Sequence, residues 1–142
     1  MNWYLEESTG KGPSKQEIQE LIAFLPIFTA AGFDPIIKWE GGESLSPGVS
    51  TFPWPVYQPA VEEFFRQAGR EPWCDYEYAA KNTPELLQEP GYIEGASLDE
   101  IKSVLTFCVR GERFCDGHWG AVIREGLVPR VLERLKAILQ EM

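Results

Sequence analysis

The segment Ser97-Leu98-Asp99-Glu100-Ile101-Lys102-Ser103-Val104-Leu105-Thr106-Phe107-Cys108 decides the fold class. Ser97 and Glu100 have the spacing of a capping box, in which each side chain accepts from a backbone N–H that a helix start would otherwise leave orphaned. Ile101, Val104, Leu105 and Cys108 then recur at helical intervals, so one face of this segment seeks a core. The same grammar appears upstream. Ser14 and Glu17 form a second box, followed by Ile18, Leu21, Ile22, Leu25 and Phe28. Pro26 falls inside that run and, lacking an N–H, should kink or split the helix near Ile22 to Leu25. Gly32 can close it in a left-handed conformation. Downstream, Leu127, Val128, Val131, Leu132, Leu135, Ile138 and Leu139 make one broad apolar stripe, the clearest helix of the chain.

Between these segments the signals are shorter. Pro59 suits the first position of a helix that buries Val61, Phe64, Phe65 and Ala68 and ends at Gly69. Trp73 to Lys81 reads as a short helix capped by Asp75, and Thr83-Pro84 as a further turn that Pro90 stops. Asp116 suits the N-cap of a helix over 117–125, with Gly126 as its stop. From Phe33 to Tyr57 periodicity is lost among Gly41, Gly42, Pro47, Gly48, Pro53 and Pro55. Trp39, Phe52 and Trp54 give that stretch apolar weight, so it reads as a loop pinned over the core by its own rings, or as a ligand lid. No segment alternates as a strand. The expected architecture is all-α: a single irregular multi-helix domain spanning residues 1–142, with a long Pro/Gly/aromatic loop.

Composition narrows the function classes. The 142 residues carry a formal net charge of -9, unevenly spread. Residues 1–101 hold 6 basic and 17 acidic side chains, and residues 102–142 hold 7 basic and 5 acidic. The acidic part repels phosphate backbones, which disfavours general nucleic-acid binding. The arginine-bearing part leaves room for a local anion site. No apolar run approaches the roughly 20 residues that span a bilayer. The start, Met1-Asn2-Trp3-Tyr4, lacks a basic region followed by an apolar one, and three cysteines without paired spacing suit a reducing compartment. A cytoplasmic protein with no membrane role is expected.

The chemistry-bearing residues concentrate in Leu105 to His118, which holds two arginines, two of the three cysteines and the only histidine. Arg110 and Arg113 share a helix face, and each offers a planar fork of donors suited to carboxylate or phosphate. They can hold an anion. The competing expectation is internal pairing with Asp75, Asp99 or Asp116, Asp75 first, with one or both guanidinium groups largely buried. Cys108, Cys115 and His118 resemble a zinc ligand set, but the tight paired spacing of structural sites is missing, so no metal and no cofactor is expected. Cys115 and His118 would need an orienting third group, Asp75 or Asp116, to act as nucleophile and base. There is no glycine-rich phosphate loop.

The pattern Leu105-Thr106, Arg110, then Arg113-Phe114-Cys115-Asp116-Gly117-His118 resembles an uncharacterised bacterial family of small single-domain proteins, catalogued as domain of unknown function 6508. The resemblance extends to Phe24-Leu25-Pro26, Gly32-Phe33, Trp39, the surroundings of Asp75, and Gly126 through Leu132-Glu133-Arg134-Leu135. The chain departs from that pattern at Cys74-Asp75-Tyr76, where the family favours Phe-Asp-Trp, and at Gly111 between the arginines. The resemblance implies a fold and a kinship and carries over no activity. Two functional classes follow. The first is a non-catalytic binding or regulatory domain whose arginine corner and aromatic loop contact a protein partner, a second copy or a small anionic ligand, through Arg110, Arg113, Asp75, Asp116, His118, Trp39 and Trp54. The second is an enzyme on a small acidic substrate, using His118 with Asp75 or Asp116 and the two arginines.

Overall fold

A computed structural model describes residues 12–142. The tetrapeptide Met1–Tyr4, on which the reading of the N-terminus rests, lies outside the described residues. About 52% of the described residues are helical and 11% are in strands, so the fold is mostly helical rather than all-α.

Most helices stand where the local signals put them. Helix α1, Lys15–Ile22, begins at Ser14, whose hydroxyl accepts from Glu17 N at 3.1 Å while the Glu17 carboxylate accepts from Ser14 N at 2.8 Å. Pro26 splits the run, and a separate turn α2 covers Leu25–Phe28. Helix α3, Pro59–Ala68, opens on its proline and buries the four residues expected of it. After a 3₁₀ turn at Glu71–Trp73, the chain makes successive turns through residues 76–82 rather than the short helix expected there. Asp75 caps one of these turns, accepting from Glu77 N at 3.0 Å. A single turn α4, Thr83–Leu86, and a 3₁₀ turn at Ile93–Gly95 lead to α5, Leu98–Gly111, which starts on the second complete capping box. Helices α6, His118–Arg124, and α7, Leu127–Glu141, complete the chain.

Helix α7 is the axis of the core. Val128, Val131, Leu132 and Leu135 are fully buried on it, against α1, α2, α5, α6 and the turn at Ile93–Gly95. Burying each such side chain favours folding by roughly 1.5–3 kcal/mol, which is why the stripe outweighs local propensity. A second layer of rings joins α2 to α3. Phe64 meets Phe24 and Phe28 edge-on with centroids 5.5 and 5.2 Å away, and Phe65 stacks on Trp119 of α6 at 4.6 Å.

The expected long loop is a β-hairpin. Strand β1, Ile36–Glu40, runs antiparallel to β4, Trp54–Tyr57, with Ile36 opposite Tyr57 and Glu40 opposite Trp54. A smaller hairpin, β2 Ser44–Ser46 with β3 Val49–Ser50, sits at its tip. Pro53 and Pro55 hid the outer strand. Proline cannot donate to a ladder, but a two-stranded sheet has only edges, where it is tolerated. A register slip between Ile36 and Lys38 further breaks the alternation. Only the hairpin's base enters the core, through Ile36 and Tyr57. The expectation that its rings pin it to the helices fails for Phe52, which is 88% exposed, and for Trp54, whose ring lies over Gly41 of the hairpin; it holds only halfway for Trp39, which is 50% exposed.

Candidate functional site

The end of α5 and the loop to α6 form a corner with two unlike sides. On one side is Glu112, which directly follows α5. Its carboxylate accepts from the Tyr57 hydroxyl, 2.9 Å from each oxygen, from Gly117 N at 2.9 Å and from Trp119 N at 2.8 Å. Gly117 makes this possible: at φ 91° it occupies the left-handed region that glycine alone enters without strain, and turns the first N–H groups of α6 onto the carboxylate. Glu112 therefore does for α6 what an N-cap side chain normally does, and the positive end of the helix dipole favours its charge. Asp116, expected in that role, is exposed. The Tyr57 hydroxyl is raised in pKa by burial and by the Glu112 carboxylate it donates to, so it stays a proton donor. It also accepts weakly from Gly120 N at 3.4 Å. One carboxylate thus ties the hairpin, the α5 terminus and the start of α6 together.

His118 packs inside this corner. A Cβ on Gly111 would lie 2.2 Å from the imidazole, so the glycine between the arginines is the floor on which the ring rests. Phe107 meets the ring edge-on at 5.5 Å. Nε2 is buried without a hydrogen-bond partner. Burial lowers the His118 pKa, against the opposing pull of the Glu112 and Glu125 charges, which keeps the imidazole neutral near pH 7. Trp39 closes the corner from the hairpin, its ring 3.1 Å from the position of a Cβ on Gly117. Trp54 lies instead over Gly41, on the hairpin itself.

On the other side, Arg110 and Arg113 line a small cleft of about 100 Å³ with Ala68, Gly69, Cys74, Thr106 and Val109. Among the described residues neither is paired with a carboxylate, contrary to expectation. Arg110 is half-buried, its guanidinium 5.8 Å above the centre of the Tyr78 ring, and Arg113 is exposed. The remaining arginines of α6 and α7 are all engaged: Arg124 with Asp34 at 2.7 Å, Arg130 with Glu94 at 2.9 Å, and Arg134 with the carbonyl of Ala96 at 2.7 Å.

Asp75 has other partners. It pairs with Lys81 at 2.8 Å and accepts from the Ser103 hydroxyl, while its own N–H donates to the Thr106 hydroxyl at 3.0 Å. Burial pushes its carboxyl up, but the hydrogen bonds from Lys81, Ser103 and Glu77 outweigh this and hold it below the usual carboxylate range. The aspartate expected to hold the arginines instead ties the turns after α3 to α5. The thiols stand apart. Cys108 is buried, its pKa pushed up to about 12 by desolvation. Cys115 is exposed. Cys74 donates to the carbonyl of Gly69 at 3.3 Å and is raised by burial and by Glu71, with Arg110 opposing.

The residues singled out from the sequence therefore fall into three groups. Arg110 and Arg113 share the cleft. His118 and Trp39 flank Glu112. Asp75 serves Lys81 and Ser103, while Asp116 is exposed and Trp54 belongs to the hairpin. No ion pair among the described residues includes His118, and none of their His, Cys, Asp and Glu side chains gather as a metal-binding group. Sequence reasoning passed over Glu112, Tyr57 and Trp119. The available signal was the glycine spacing, Gly111, Gly117 and Gly120, which marks close approach. A Cβ on Gly120 would lie 2.9 Å from Ile36 of the hairpin.

The fold and this corner define a small, mostly helical protein with a projecting β-hairpin and an open arginine cleft. Its chain matches the Family of unknown function (DUF6508) over residues 13–141 and belongs to that family. No curated protein and no solved structure matches it. Among the described residues no helix is long and apolar enough to cross a membrane.

Proposed function

We propose that the protein is a small non-catalytic binding domain, and that the Arg110–Arg113 corner is where it contacts an anionic group of a partner or ligand. One observation carries this reading: two guanidinium groups line one cleft with no carboxylate partner among the described residues, in a protein of net charge -9. Other arginines are neutralised within the fold: Arg66 pairs with Glu63, Arg124 with Asp34 and Arg130 with Glu94. Arg110 and Arg113, which like Arg70 enter no ion pair among the described residues, share one cleft and keep donor geometry suited to an incoming carboxylate or phosphate.

The enzyme reading has less support. A general base must reach a substrate proton and be oriented by a further group. His118 presents its buried nitrogen to the protein interior, and Asp75 is engaged by Lys81 and Ser103. The test is titration of the full chain with acetate and inorganic phosphate, following the side-chain Nε–H resonances of its arginines. The binding reading expects Arg110 and Arg113 to move together while Arg124, Arg130 and Arg134 stay still. Uniform small shifts at every arginine would refute it.

A further inference from the structure

We infer that the anion this cleft receives is a carboxylate carried on a protein segment, an Asp or Glu side chain flanked by apolar residues. The inference rests on the binding-domain reading and names its partner. Size comes first. Sites that enclose a small molecule run to roughly 300–1,000 Å³. The cleft has about 100 Å³, room for one functional group and little else. A ligand held here must find the rest of its contact on the surrounding surface.

Two exposed rings neighbour the cleft residues along the chain. Phe114, next to Arg113, is 83% exposed, and Tyr76, two residues from Cys74, is 66% exposed. Aromatic side chains and arginine are both enriched at protein interfaces, so an exposed ring next to an arginine in the chain suits contact with a protein segment. Free small anions gain nothing from Phe114. A peptide does, by laying an apolar side chain on the ring while its carboxylate enters between the guanidinium groups.

Charge favours carboxylate over phosphate. Arg110 belongs to the last turn of α5, the end of a helix that carries about half a unit of negative charge. Glu71 adds to this: its charge reaches Cys74, and its carboxylate accepts from the Tyr76 hydroxyl at 2.7 Å. Only two cations line the cleft, and no helix starts there to offer N–H groups. A singly charged carboxylate matches this field better than a phosphate carrying nearly two charges.

The experiment uses the full chain and four probes: a ten-residue peptide with one central Glu flanked by Leu and Phe, its counterpart with phosphoserine in place of the Glu, acetate and inorganic phosphate. Affinities come from fluorescence anisotropy of labelled peptides and from the shifts of the arginine Nε–H resonances. The acidic peptide should bind most tightly and shift Arg110 and Arg113. Arg113→Gln should weaken it about tenfold or more, the loss of a charge-assisted hydrogen bond. Phe114→Ser should weaken it as well, with an unchanged circular-dichroism melt confirming that both variants fold. Tighter binding of the phosphoserine peptide or of inorganic phosphate would overturn the carboxylate assignment and leave the binding-domain reading standing. Acetate binding as tightly as the acidic peptide would overturn the protein-segment assignment. Silence at both arginines with every probe would end both readings.

Discussion

Residues 110–113 contain two opposite treatments of charge within one turn of chain. Glu112 carries an anion that is met from three directions, by a tyrosine hydroxyl on the hairpin and by the backbone N–H groups of Gly117, just before α6, and of Trp119 in it. Arg110 and Arg113, on either side of it, carry cations that meet no carboxylate among the described residues. The difference shows which charges the fold consumes. A half-buried carboxylate must be hydrogen-bonded or it destabilises the state that buries it. A guanidinium that keeps one face in water can remain open at little cost, and an open charge is available to something outside the chain.

The comparison breaks first at Glu112. Replacing it by Ala leaves the Tyr57 hydroxyl and the N–H groups of Gly117 and Trp119 without their acceptor. Hydrogen bonds to a charged group contribute roughly 1.5–3 kcal/mol each, and the set is not additive. We expect Glu112→Ala to lower the unfolding free energy by about 3 kcal/mol in urea titration. A loss below about 1 kcal/mol would mean that the hairpin is not held by this carboxylate.

Gly111→Ala comes next. The added methyl would stand 2.2 Å from His118, and the imidazole is confined by Phe107. Forcing an extra methyl into a packed site typically costs 1–3 kcal/mol. The roughly 1 kcal/mol that Ala gains over Gly in a helix offsets part of this. A net loss of about 1–2 kcal/mol is expected, measured by thermal unfolding; a gain in stability would show that the ring moves aside freely.

How much of this was readable beforehand follows from the range of the interactions. The two capping boxes are contacts between residues three apart, and the α7 stripe repeats over four turns, so both are written locally. Pro26 and Pro59 act through their own backbone and declared their effects. The hairpin was not legible, because its strands have no fully buried face, Pro55 interrupts β4 and Pro53 directly precedes it. Glu112 was not legible either. A glutamate between two arginines reads as solvated surface, and its decisive partner, Tyr57, lies 55 residues upstream. Asp75 was expected to pair first with the arginines, but Lys81 and Ser103 hold it instead. Their greater proximity in the turn-and-helix packing decided the pairing.

Asp75→Asn tests that reassignment. The ion pair with Lys81 is partly exposed and contributes little, while the Ser103 and Glu77 hydrogen bonds are better sheltered. A loss of about 1 kcal/mol at pH 7 is expected. Because the folded carboxyl titrates below the ordinary aspartate value of about 3.9, its contribution is complete above that pH and lost as pH falls through the folded value. The difference between wild type and variant should therefore vanish in strong acid. A difference that persists unchanged there would contradict the ionic role.

The smallest effect on stability is expected at Arg113, and it bears on the central claim most directly when set beside Glu112. Unfolding free energies of wild type, Glu112→Ala and Arg113→Gln, measured together at pH 7, compare the consumed charge with the open one. The account predicts a loss of about 3 kcal/mol for the glutamate and less than about 0.5 kcal/mol for the arginine. A loss at Arg113 equal to or larger than that at Glu112 would mean that the arginine is spent inside the fold, and would contradict the account.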